Sequence, residues 1–141
     1  MQPFEFQKLV ASLIEAMGYH VAWIAPPGKD AGVDILAWSD PLGTKPPRIK
    51  VQVKRQVQKV TAEGLRAFMS VIGDADVGLF VSLGGFTKDS IDEARMQVKR
   101  QITLIDIEQL FDLWVNFYDK IDERGRGRLP LRPIQFLAPL A

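Results

Sequence analysis

The segment Lys50-Val51-Gln52-Val53-Lys54 constrains the fold more than any other stretch of the chain. Strict alternation of polar and apolar residues belongs to a β-strand, where side chains two positions apart share a face. Lys50, Gln52 and Lys54 therefore point one way, and Val51 and Val53 the other. In the middle of a sheet, a row of Lys, Gln and Lys must be paired or hydrated, because burying such groups without partners is costly. The segment thus predicts a strand and, on one of its faces, a polar site.

The rest of the chain arranges itself around that strand. Phe6, Leu9, Val10, Leu13, Ile14 and Met17 line one side of a helix from about Pro3 to Met17, with Gly18 as its stop. Strands are predicted at Tyr19–Ile24, Val33–Trp38 and Ile49–Arg55. Pro26-Pro27-Gly28 marks the first loop between them; Asp40-Pro41, Gly43 and Pro46-Pro47 mark the second. Thr61 caps a helix running to about Ile72, and Val77–Leu83 forms a strand. Thr87 or Lys88 opens a helix to about Arg100, followed by a strand at Ile102–Ile105 and a helix at Ile107–Tyr118. The order is α-β-β-β-α-β-α-β-α. Short loops join the first three strands and helices reach the later ones. This predicts an α/β fold with a mixed central sheet, antiparallel in one half, parallel in the other, and flanked by helices. Residues 1–119 read as one domain. Residues 120–141, rich in Arg, Gly and Pro, read as an irregular tail with a short edge strand at 134–136. Trp23, Trp38 and Trp114 fall within apolar segments and read as core.

Composition then removes several chemistries. The chain has no cysteine, and His20 is its only histidine. That excludes a cysteine nucleophile, a thiolate zinc site and a Ser-His-Asp triad. A metal must be held by oxygen, which favours Mg²⁺, with Mn²⁺ as a substitute. No apolar run approaches the roughly 20 residues of a membrane span, and Met1 to Glu5 lacks the pattern of a signal peptide, so the cytoplasm is the expected compartment. The net charge is only +1. Its distribution is more telling: from Pro41 to Ala62 there are six basic residues and no acidic one. Arg95, Lys99 and Arg100 form a second group, and Arg124, Arg126, Arg128 and Arg132 a third. Such clusters serve either as phosphate contacts or as an ordinary solvated surface balanced elsewhere.

A hairpin centred on Gly43 would oppose residues whose numbers sum to 86. Asp34 then faces Gln52, Trp38 faces Arg48 and Gly32 faces Lys54. Asp34 and Gln52 would share a face as a directly opposed pair, close enough to hold one ion; a slip of one residue would separate them. The Asp34 carboxylate, the Gln52 amide oxygen, the Val53 carbonyl and several waters would make a six-coordinate Mg²⁺ site. Lys54 would stand beside it as a compact cation for a phosphodiester transition state. The alternative is a plain buried ion pair between Asp34 and Lys54, and spacing alone leaves both readings open.

Several signatures occur in an order that resembles one known family. These are Phe4-Glu5, Met17-Gly18-Tyr19, Gly28 to Ile35, Val51-Gln52-Val53-Lys54-Arg55, Gly85-Phe86-Thr87 with Ala94, and Ile102 to Asp106. Together they resemble the Mrr-type restriction endonuclease domain of the PD-(D/E)XK nuclease superfamily over about residues 3 to 118. The resemblance implies a restriction-endonuclease-like αβββαβ core, Mg²⁺-dependent DNA cleavage, and Asp34, Gln52 and Lys54 as the active-site triad. Glutamine at 52 replaces an acid common in the wider superfamily, so a further carboxylate is expected to help. Glu5, about 110° from the centre of the helix-one apolar stripe, is the candidate favoured over Glu15, about 170° away. The alternative for Glu5 is to complement the helix N-terminus. Asp30 is either an outer support of the site or a loop acid. Arg55 and Lys59 either follow the DNA backbone beyond the strand or are simply solvated, and Thr87 either holds a phosphate or caps its helix.

The leading expectation is therefore a metal-dependent endodeoxyribonuclease acting on DNA as a homodimer, with a separate DNA-recognition domain or protein as a further possible partner. A catalytically silent DNA-binding module and a repair or junction-resolving nuclease on the same scaffold are the alternatives.

Overall fold

The computed structural model describes residues 2–27, 32–97 and 100–132, with Gln135, Leu137 and Pro139 beyond them. The elements are α1 (Pro3–Ala16), β1 (His20–Ile24), β2 (Ile35–Trp38), β3 (Arg48–Lys54), α2 (Ala62–Met69), β4 (Asp76–Ser82), α3 (Lys88–Arg95), β5 (Gln101–Ile105), α4 (Ile107–Phe117), a 3-10 turn at Tyr118–Lys120 and α5 (Glu123–Arg128). The strands lie in sequence order in one five-stranded sheet. β1–β2 and β2–β3 are antiparallel, while β3–β4 and β4–β5 are parallel. This is the mixed α/β sheet that the connection lengths predict.

Strand alternation divides the interior into two cores. On β4, Val81 joins the cluster formed by α1, α4 and Ile121, whereas its neighbour Phe80 joins the cluster of Leu65, Phe68 and Ile72. Phe80 stands edge-on to both Phe68 and Phe86. α1 and α4 therefore cover one face of the sheet, and α2 and α3 the other. On β3, Val51 and Ile49 face the α1 side. Lys50 faces the α2 side, donating to Val71 O at 2.9 Å and pairing with Asp76 at 3.0 Å.

That pair gives a pH-dependent contribution to stability. Burial alone would raise the Asp76 carboxyl, but the Lys50 hydrogen bond, the Gly73 N–H and the charges of Lys50 and Arg48 outweigh it, and the group lies below its ordinary 3.8. A depressed folded-state value stabilises above the unfolded value and is lost as pH falls through the folded one. Melting curves from pH 6 down to pH 3 should therefore show a smaller loss of Tm for Asp76→Asn than for the wild type. Parallel curves would mean that Asp76 contributes nothing to acid sensitivity.

Several boundaries differ from expectation. α2 ends at Met69 because Val71 and Ile72 tighten into turns, donating to Phe68 O and Met69 O. Ile72 still reaches the core at 3% exposure. α3 ends at Arg95, with Met96 as its C-cap. Trp23 is a correction to the expected core: it is 45% exposed, because β1 is an edge strand and a bulge between Val21 and Trp23 breaks its alternation. Trp114 is fully buried as expected, and Trp38 is partly buried.

The Arg-Gly stretch is also corrected, since it forms α5 rather than an irregular tail. Asp122 caps it by accepting from Gly125 N at 2.7 Å. A Cβ on Gly125 would lie 2.6 Å from Ile121 and 2.9 Å from Ser12, so only glycine lets α5 settle this closely on α1. Ile121 is buried, and Trp114 Nε1 donates to Leu129 O at 2.8 Å. The edge strand expected at 134–136 lies outside the described residues except for Gln135. Among the described residues, no helix is long and apolar enough to cross a membrane.

Candidate active site

The β2–β3 ladder pairs Ile35 with Val51, Leu36 with Lys50, Ala37 with Ile49 and Trp38 with Arg48. Every pair sums to 86, so the hairpin register is the one expected. Continuing it by one step brings Asp34, just before β2, to the level of Gln52. Asp34 is 6% exposed, and its N–H donates to Val51 O at 2.8 Å. Its side chain then takes over from the backbone: Oδ2 accepts from Val53 N at 2.7 Å, and Oδ1 accepts from Gln7 Nε2 at 3.0 Å. The strand end and α1 thus fix the carboxylate from two directions, and both of these donors are neutral.

Gln52 is 8% exposed, and its amide makes no hydrogen bond to a described residue. Lys54 closes β3 beside Ser82, is half-buried, and accepts from Leu83 N at 3.0 Å through its carbonyl. Asp34, Gln52 and Lys54 therefore occupy one end of the sheet, where β2 begins and β3 finishes. Val53 adds its N–H to Asp34 while its side chain packs in the α1-side core.

The other candidates are distributed differently. Glu5 is half-exposed and pairs with Lys8 at 3.4 Å and Arg128 at 3.3 Å. Desolvation opposes its ionisation, but those two cations outweigh it and hold the carboxyl below the ordinary range. The structure ties Glu5 to α5; the α1 residue that reaches Asp34 is Gln7. Thr87 caps α3, accepting from Ser90 N at 3.2 Å. Arg55 and Lys59 are exposed at the two ends of the loop that follows Lys54. Asp30 lies outside the described residues.

The restriction endonuclease family model Mrr_cat matches residues 1–114. The chain belongs to the Mrr restriction endonuclease family. The fold of this Mrr domain agrees with one solved restriction endonuclease. MspJI restriction endonuclease in complex with a 27-mer oligonucleotide superposes with a TM-score of 0.56 at 20% identity, over 86% of this chain and 32% of the MspJI chain. A repair endonuclease from Pyrococcus abyssi gives a TM-score of 0.49 at 13% identity, over 75% and 47% of the respective chains. The Mrr domain described here thus spans about a third of MspJI. Curated protein sequences provide no match.

The oxygen donors of this Mrr domain fit a hard divalent cation. Among the described residues, no three His, Asp or Glu side chains cluster as a metal site. The donors the described residues bring together are the Asp34 carboxylate and amide and carbonyl oxygens. The Gln52 amide has no partner among the described residues, so its oxygen can meet a cation or the cation's water shell. Gln7 goes further. Its Oε1 is sealed from solvent without a partner while its Nε2 holds Asp34.

Sequence reasoning missed Gln7. The apolar stripe read from the α1 sequence omits Ala11, yet Ala11 is 4% exposed. Gln7 sits one helical turn before Ala11, so the buried face extends round to it. In Gln7→Glu, a second carboxylate would stand about 3 Å from Asp34, a repulsion that a cation relieves. We expect this variant to melt several degrees below wild type in EDTA and to gain more than wild type from Mn²⁺. Equal Tm gains in the two proteins would place Gln7 away from the ion.

Proposed function

We propose that this domain is a Mg²⁺-dependent endodeoxyribonuclease that hydrolyses DNA phosphodiester bonds in a restriction-type system. The observation that carries the reading is the convergence at one sheet end of a buried, doubly oriented carboxylate (Asp34), the Gln52 amide beside it and the strand-closing Lys54. Membership of the restriction endonuclease family supports it.

Asp34 and Gln52 would hold the ion, with the Val53 carbonyl as a third oxygen. Bound there, Mg²⁺ supplies Lewis-acid activation of the phosphate and of a nucleophilic water. The work left to the chain is positional and electrostatic. Val53 N–H and Gln7 keep the carboxylate from rotating away. Lys54 offers a compact cation, with three donors, to charge that develops on the phosphate oxygens. Arg55 and Lys59 would meet the DNA backbone on leaving the strand. Cleavage of both strands needs two such sites, which a homodimer supplies. A separate recognition domain or protein would supply sequence or methylation choice.

The test is incubation of supercoiled plasmid, methylated and unmethylated, with wild-type protein in Mg²⁺, Mn²⁺ or EDTA. Nicking or linearisation that needs the metal supports the reading. DNA binding without cutting under any metal condition overturns it in favour of a silent binding module, which the two neutral glutamines around one described carboxylate would suit. Branched duplexes in the same assay separate restriction-type cutting from junction or repair cutting.

A further inference from the structure

The five residues after Lys54, Arg55-Gln56-Val57-Gln58-Lys59, are all exposed, and Val57 is 84% exposed. The loop is nevertheless held at both ends. Leu83 N donates to Lys54 O, Val60 N donates to Gly85 O, and Thr87 N donates to Val60 O, each at 3.0 Å. Between those ends its backbone lies against Gly84. A Cβ there would stand 2.5 Å from Gln58 O and 2.6 Å from Val57 O, so the turn after β4 accepts this loop only with a glycine beneath it. The backbone is thus seated on the protein while the side chains project outward.

The loop makes little internal use of its side chains: Gln56 Nε2 donates to Gln58 O at 3.5 Å, the limit of a hydrogen bond. Val57 makes no core contact, and the flanking residues are two cations and two amides. Lone exposed apolar residues are ordinary on proteins. This one is distinguished by its place: between two cations, on a fixed backbone, three residues beyond the last residue of the active-site strand. Three residues reach about 10 Å at most, roughly three base steps along one DNA strand.

We propose that this loop is a preformed DNA-groove contact, in which Arg55 and Lys59 hold phosphates on either side and Val57 packs against base edges next to the bond to be cut. The proposal rests on the nuclease reading for its substrate, although binding tests it independently. An apolar side chain lowered into a groove discriminates base steps by deformability and shape, where phosphate contacts do not. The loop would therefore contribute sequence preference near the cut, while its cations contribute affinity that depends on salt.

The experiment measures binding of the full chain to a fluorescent 25-base-pair duplex by anisotropy, in EDTA, across a salt series. It uses wild type, Val57→Ala, Val57→Lys and the double variant Arg55→Gln with Lys59→Gln. All substitutions are at exposed positions, and an unchanged Tm confirms the fold. We expect Val57→Ala to bind about tenfold more weakly with the wild-type salt slope, since no phosphate contact is lost. The double variant should lower the log–log slope by about 1.8, at about 0.9 per phosphate contact. Val57→Lys should steepen the slope without recovering wild-type affinity at high salt. Wild-type affinity in Val57→Ala, an unchanged slope in the double variant, or no duplex binding by the wild type overturns the proposal. Wild-type binding with the expected variant pattern but no metal-dependent cutting would sink the nuclease reading and leave the loop assignment standing.

Discussion

Asp34→Asn is expected to abolish metal-dependent cleavage and, with it, the rise in Tm expected for the wild-type protein in Mn²⁺. Asparagine keeps the shape of the side chain. Its oxygen can still accept from Val53 N, and its new NH₂ can donate to Gln7 once the Gln7 amide turns over to present Oε1, which is buried without a partner. The described partners thus adapt, and the Tm in EDTA should fall by no more than a few degrees. The ionic charge is what disappears. Asp34 is the one carboxylate among the described residues that this site offers the ion, and a neutral amide is a far weaker ligand for a hard cation. With wild type at about a hundred times its dissociation constant, metal binding adds about 2.7 kcal/mol, a Tm rise of several degrees for a domain of this size. Differential scanning fluorimetry with and without Mn²⁺ should show that rise in wild type and lose it in the variant. Plasmid cleavage should fall at least a thousandfold. A variant that keeps both the metal-linked rise and the cleavage would remove Asp34 from the centre of the site.

The hairpin was the most legible part of the chain. Gly43 marks its centre, the alternation of residues 50–54 fixes which face is polar, and the two together set Asp34 level with Gln52. Register could be read because one face of each strand is buried, so that a slip of one residue would turn Ile35, Ala37, Ile49 and Val51 out of the core. The sense of strand pairing was legible for a related reason: short loops favour antiparallel neighbours, and helical crossovers favour parallel ones.

What escaped was set by contacts between distant segments. Glycines at 125 and 127 argue against a helix on propensity, and only the close approach of α5 to α1 makes Gly125 an advantage. Glu5 looked suited to the site from its angle on α1. Arg128, 123 positions away in sequence, instead provides it with a partner on α5. Gln7 was invisible because an amide is neither apolar enough to join a hydrophobic stripe nor charged enough to attract notice as a catalyst. Its importance appears only when Asp34 is seen to accept from it. Trp23 reads as core because it lies in an apolar segment, but β1 is an edge strand whose bulge turns it outward.

Lys54→Ala should separate chemistry from metal binding. The substitution leaves Asp34, Gln52, Gln7 and the Val53 N–H in place, so the Mn²⁺-linked rise in Tm should survive. Cleavage under saturating metal should nevertheless drop about 10²–10³-fold, the usual cost of removing one charge-stabilising donor from a transition state. Lys54 lies at the end of β3 with its backbone anchored to Leu83, so truncation should not move the strand. Lys54→Arg is the informative control. Guanidinium restores the charge as a planar fork on a different reach, and an ammonium acting as a compact point charge is replaced poorly by it. Partial recovery in Lys54→Arg would show that charge alone carries part of the effect, and full recovery that position matters little. If Lys54→Ala loses the metal-linked rise as well, the lysine serves to assemble the site. If Lys54→Ala cuts at the wild-type rate, the transition-state role belongs to another cation, and Arg55, next in the chain, is the first to replace.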